Sequence, residues 1–83
     1  MKTILFICTG NVCRSPMAEA LFQQAAAGRG EFRVFSAGLG AVDGQPPTAH
    51  SVEAMRKLGV DISEQRSRML TADLVRQADY ILA

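Results

Sequence analysis

Little in this sequence points to a metal, a membrane or a nucleic acid. It has one histidine, His50, and two cysteines, Cys8 and Cys13, set close together in one short stretch. A lone histidine supplies no ligand set, so no metal site is expected, and two cysteines this close do not build the cross-linked framework of a small secreted domain. Nine basic residues against eight acidic ones leave a net charge of +1. Neither nucleic acid nor an anionic membrane surface is therefore expected as a partner. The apolar run Thr3–Ile7 is far too short to cross a bilayer, and Met1-Lys2 leads into it without a signal-peptide pattern. The expected location is the cytoplasm. Internal repeats, low-complexity segments and linkers are absent.

What remains is a small α/β pattern. A chain of 83 residues, 48% hydrophobic and 20% charged, reads as one globular domain with a modest core. A first strand is expected over about residues 3–8. A helix follows over about 16–28, with Ala18, Leu21, Phe22 and Ala25 at helical spacing and Gly28 and Gly30 as its stop. Residues 31–36 read as a second strand and 38–47 as a Gly/Pro-rich loop. A helix starting at Thr48 or Ser51 shows Val52, Met55 and Leu58 on one face and ends at Gly59. Thr71 caps a short helix over about 72–77, and Tyr80–Ala83 begin a third strand. Strands alternating with helices predict parallel βαβ units.

The chemistry sits at the first strand–helix junction, Cys8-Thr9-Gly10-Asn11-Val12-Cys13-Arg14-Ser15-Pro16. Here backbone N–H groups converge and a helix N-terminus turns its positive end to an anion. A thiol attacks as its thiolate, which a helix N-terminus and nearby cations favour. Cys8, at the strand end, would point into a ring of amides from Thr9, Gly10, Asn11, Val12, Cys13 and Arg14. The Arg14 guanidinium can present its planar fork to two phosphoryl oxygens, which lysine does less well. Gly10 gives the tight turn its freedom, Asn11 tolerates left-handed backbone, and the Ser15 hydroxyl can donate to Cys8. Pro16 fits the first helical turn.

Plainer readings stand beside these. Cysteine is often an inert buried residue, a reading that Arg14-Ser15 at this spacing disfavours for Cys8. Cys13 reads equally as a small core residue or as a redox partner. His50 reads as a helix-start or solvent-facing residue, Arg66 and Arg68 as solvated charges, and Phe22, Phe32 and Phe35 as core.

The stretch Cys8–Ala20 resembles the signature of the low-molecular-weight protein tyrosine phosphatase family, which includes arginine phosphatases and arsenate reductases. Ser36-Ala37-Gly38, Asp61-Ile62-Ser63 with Arg66-Ser67-Arg68 and Leu70-Thr71, and Ala78–Ala83 resemble further landmarks in the same order. The resemblance implies a three-layer αβα, Rossmann-like fold with a parallel twisted sheet and no cofactor. It implies that Cys8 attacks phosphorus to form a phosphocysteine, Arg14 binds phosphate and stabilises the transition state, and Ser15 eases departure of the thiolate. Asn11 and Ser36 would form the supporting hydrogen-bond shell, and Cys13 would pair reversibly with Cys8 to protect it from over-oxidation. The implied partner is a phosphorylated protein or a phosphate or arsenate oxyanion.

Three departures from the family pattern qualify that picture. The Asp-Pro-aromatic tripeptide of the family's general acid does not occur: Asp43, Asp61, Asp73 and Asp79 precede Gly, Ile, Leu and Tyr. The chain accordingly resembles an N-terminal portion, truncated in its third strand. Positioned acid–base catalysis is typically worth about 10²–10⁴-fold, so poor leaving groups should suffer most. Gln65 stands where relatives commonly have a bracing histidine. No aromatic residue occurs over 39–44, and Val12 resembles the choice of tyrosine-directed members. Arsenate reduction is the alternative activity, although the downstream thiol pair is lacking. A non-catalytic anion-binding module is the other alternative, and an exposed third strand would invite self-association.

Overall fold

The computed structural model describes residues 1–12, 14–27 and 30–83. Its elements follow in the order β1 (Lys2–Cys8), α1 (Arg14–Ala25), β2 (Phe32–Gly38), α2 (Ala49–Lys57), α3 (Ala72–Gln77) and β3 (Tyr80–Leu82). The strands form a parallel sheet in the order β2-β1-β3. The first strand is thus central. It pairs with β2 along its whole length, from Lys2 opposite Phe32 to Cys8 opposite Gly38. Cys8 therefore ends the central strand on the edge of a parallel sheet where ligands generally bind.

Side chains alternate along each strand, so Ile4, Phe6 and Cys8 share a face with Val34 and Ser36. Helix α1 covers this face. Phe22 meets Phe6 edge-on with centroids 6.1 Å apart and Phe32 at 5.5 Å. Away from the sheet, Ala20 packs with Met55 and Ile62, flanked by Met17, Val52 and Val60. Met55 and Ile62 are almost wholly buried, each stabilising the fold by about 2 kcal/mol.

The α/β class holds as read, and four local expectations do not. Helix α1 starts at Arg14 and ends at Ala25, and its buried stripe is Pro16 and Ala20 rather than Leu21 and Ala25, both of which are exposed. The helix is wedged between the sheet and α2, which rotates the buried stripe. The second strand runs on to Gly38, because it stays in register with β1 to the end. Phe35 leaves the aromatic cluster: three residues past Phe32 in a strand, it lies on the opposite face, under the guanidinium groups of Arg33 and Arg68. Leu58 is exposed, since α2 ends at Lys57 and Leu58 is its C-cap. The stop at Gly59 holds, with φ +79°. The proposed stop at Gly28, like every expectation on Cys13, lies outside the described residues.

Helix caps fall where the sequence places them. Thr48 accepts from the Ser51 N–H and Thr71 from the Leu74 N–H. A two-way clip then sets β3 beside β1: the Thr3 N–H donates to Asp79 Oδ2 at 2.7 Å and the Asp79 N–H to the Thr3 carbonyl at 2.8 Å. Tyr80, Ile81 and Leu82 are all exposed at the sheet edge. Among the described residues no helix is long and apolar enough to cross a membrane.

Candidate active site

A loop that binds anions with its N–H groups must send its carbonyls elsewhere. Three outer N–H groups take them here. Leu39 donates to the Cys8 carbonyl at 2.9 Å, Gly40 to Thr9 at 2.9 Å, and Thr48 to Val12 at 2.8 Å. Residues 42–45 are in turn strapped to 67–69: Ser67 donates to the Val42 carbonyl and accepts from the Gln45 N–H, and Met69 N–H donates to Asp43 Oδ1. This strap fixes the segment beyond Gly40 whose neighbours hold the Cys8, Thr9 and Val12 carbonyls.

Glycine at 38 is required by closeness. A Cβ there would lie 2.5 Å from the Thr9 carbonyl oxygen and 2.8 Å from the Ala41 Cβ. Backbone cannot yield as a flexible side chain would. Gly38→Ala is therefore expected to destabilise the fold by about 1–3 kcal/mol, read as a lower urea midpoint, by forcing the cradle away from β2.

Within the cradle, the Cys8 sulfur is half-buried and free. It accepts from the Asn11 backbone N–H at 3.0 Å and lies 2.7 Å from Ser15 Oγ. Asn11 has φ +57°, the left-handed geometry expected of it. Its side chain makes three further bonds: Nδ2 donates to Ser15 Oγ at 2.8 Å and to Ser36 Oγ at 2.9 Å, and Oδ1 accepts from the Arg68 N–H at 2.8 Å. Because Ser15 Oγ already accepts from Asn11, its own hydrogen is free to point at sulfur. Asn11, Ser15 and Ser36 are all buried.

Arg14 opens α1 and is exposed. It shares an open cleft of about 440 Å³ with Cys8, Thr9, Ser15, Phe6 and Leu39. A sulfur, a helix N-terminus and a guanidinium thus face one solvent-accessible space, an arrangement suited to a tetrahedral oxyanion. Gln65, expected to support the cradle, instead reaches the Pro16 carbonyl at 3.4 Å, a weak contact on the first turn of α1. Two contributors were not anticipated. One is the Arg68 main chain, which no sequence signal marks. The other is Glu19, whose Oε1 accepts from Ser36 Oγ at 2.6 Å. Its position four residues after Ser15 puts both on one helical face, a spacing that could have found it. Burial raises the Glu19 carboxyl above the ordinary glutamate range, against the opposing pull of Ser36 and Arg68.

The sequence profile described as "Low molecular weight phosphotyrosine protein phosphatase" matches residues 3–83. The chain belongs to that family. It is 52% identical over 82 residues to a "Probable low molecular weight protein-tyrosine-phosphatase EpsP" of Ralstonia solanacearum, covering 99% of this chain and 54% of the relative. An "Arsenate reductase" of Brevibacillus brevis is 43% identical over 81 residues, covering 98% and 57%. The crystal structure of a low molecular weight protein tyrosine phosphatase from T. tengcongensis superimposes with a TM-score of 0.93 at 40% identity, over 100% of this chain and 58% of that one. The chain thus spans about half the length of the relatives it matches.

Proposed function

We propose that this chain carries the phosphate cradle and nucleophile of a cysteine-dependent phosphatase acting on phosphotyrosine or another phosphorylated side chain. The observation behind it is the Cys8 sulfur held by Ser15 and the Asn11 N–H at the N-terminal end of α1, with Arg14 in the same cleft. In this reading the Cys8 thiolate attacks phosphorus. The S–P bond forms as the bond to the leaving oxygen breaks, and the leaving group carries away the electron pair. Water then attacks the phosphocysteine, releasing phosphate and restoring the thiolate. Arg14 and the loop amides neutralise charge on the three equatorial oxygens. Ser15 stabilises the sulfur as it takes back negative charge. Membership of the family supports this reading, as do relatives named protein-tyrosine-phosphatases.

The test is hydrolysis of p-nitrophenyl phosphate under reducing conditions by the chain and by Cys8→Ser. This substrate has a good leaving group and makes little demand on a general acid. Turnover lost in Cys8→Ser, with phosphate trapped on Cys8 after acid quench, is the expected result. A folded chain that binds phosphate without turnover would instead mark an anion-binding module. Thiol-dependent reduction of arsenate without phosphatase activity would assign the alternative chemistry.

A further inference from the structure

Strand β2 lies on the outside of the sheet, and only part of its free edge is closed. At its end the Gly38 N–H donates to the Arg68 carbonyl, and the Gly38 carbonyl accepts from the Leu70 N–H, each at 2.9 Å. Gly38 therefore turns its main-chain groups away from β1, toward the short bridge at Met69. Such groups point to alternate sides along a strand, so those of Phe32, Val34 and Ser36 face outward as well. The Glu19 carboxylate stands over Ser36, meeting its hydroxyl and its main chain. Among the described residues, nothing pairs with Phe32 or Val34 on that side. A groove of about 420 Å³ runs along this open stretch, between the strand and the turn that follows α1. Ala26, Ala27, Phe32 and Val34 line it on the α1 face, and Arg33 and Phe35 on the other. Arg33 and Arg68 both lay their guanidinium groups on the Phe35 ring, 5.6 and 5.4 Å from its centroid. Two cations are thereby held on one face of the edge. Both arginines are exposed, and neither forms an ion pair among the described residues. Glu19 and Glu31, the acidic residues beside them in the fold, have partners of their own.

We propose that the open edge of β2 binds an extended acidic segment of a partner protein, which adds as a strand beside Phe32–Val34. Strand pairing dictates the pattern of that segment. Residues opposite one another in a ladder share a face, so the residue opposite Val34 turns toward α1. Its two neighbours turn toward Arg33, Phe35 and Arg68. The first should be apolar, and the neighbours aspartate or glutamate. Charged residues on a sheet edge normally keep other strands away. Here the same two arginines repel a basic segment and attract an acidic one, so they select rather than merely exclude. The groove shares no residue with the cleft at Cys8, and the proposal is independent of the phosphatase reading.

The probe is a short peptide alternating aspartate and valine, titrated into the whole chain and followed by NMR amide shifts. Binding is expected, with shifts concentrated at residues 32–35 and exchange of the Val34 N–H with solvent slowed about tenfold at saturation. Arg33→Ala and Arg68→Ala should each weaken binding about three- to fivefold, and added salt should weaken it further. A peptide alternating lysine and valine should not bind. Methylating every second amide nitrogen of the aspartate peptide then tests the pairing itself, with no change to the protein. Binding should be lost with one set of methyl groups only: the valine set for an antiparallel strand, the aspartate set for a parallel one. Equal binding by the two methylated peptides would mean attraction to the arginines without strand addition, and would overturn the proposal. Equal binding by the lysine peptide, or no binding by the aspartate peptide, would overturn it too. Should an arginine variant not fold, the methylated peptides decide the matter on the wild type.

Discussion

Arg14→Lys is expected to slow turnover of p-nitrophenyl phosphate by about 10²–10³-fold, the usual cost of losing one preorganised donor to transition-state charge. The substitution keeps the positive charge and removes the planar fork. A lysine ammonium can neutralise one oxygen of the transferring group but cannot span two. The loss should fall mainly on kcat, because the spread of charge over the equatorial oxygens is greatest in the transition state. Arg14 is exposed and opens α1 at the mouth of the cleft, so the thermal midpoint should move little. Steady-state kinetics with phosphate as competitive inhibitor separates the two quantities. Equal activity in the lysine variant would mean that a point charge suffices and that the fork has no role.

Asn11→Ala should do more damage to the fold than any other substitution in the cradle. It removes both donors to Ser15 and Ser36 and the acceptor for the Arg68 N–H, all in buried or half-buried surroundings. Each group left unpaired in the interior costs about 1–3 kcal/mol, and a left-handed backbone at alanine costs about 1–2 kcal/mol more. Even partial relief by water leaves a loss of about 3–5 kcal/mol, a large share of the 5–15 kcal/mol typical of a whole domain. Urea unfolding reads that loss, and hydrolysis should fall with it, since the amide that bonds the sulfur belongs to the same residue. Two companion variants divide the causes. Asn11→Gly relieves the backbone term and leaves the lost bonds, so it should recover only a small part. Asn11→Asp keeps the acceptor for Arg68 and opposes both serine oxygens with another oxygen, so activity should stay low even where stability returns.

The cradle was legible in the sequence because its geometry is local. Cys8, Asn11, Arg14 and Ser15 sit within one strand–turn–helix unit, and residue type there follows from anion chemistry. The parallel α/β order was legible for a similar reason, since each strand and cap carries its own short-range signal. What escaped depends on orientation between elements. Leu21 lies on the apolar side of α1 by spacing, yet the wedge between sheet and α2 turns it outward. Phe35 reads as core by type, and strand parity puts it opposite Phe32. The bond from the Arg68 N–H to Asn11 joins residues 57 positions apart through a main-chain atom, which no side-chain pattern encodes.

The three clips that hold the cradle's carbonyls come from Leu39, Gly40 and Thr48, and all are made by main-chain N–H groups. A main-chain donor is supplied by every residue except proline. The side chains at the rim, among them the exposed Leu39 and Val42, therefore carry no part of the clamp. The surface an incoming substrate meets can be rewritten one residue at a time while the phosphate seat keeps its shape. On the proposed phosphatase reading, recognition and reactivity are thus separately heritable, and selection can change the target without dismantling the clamp.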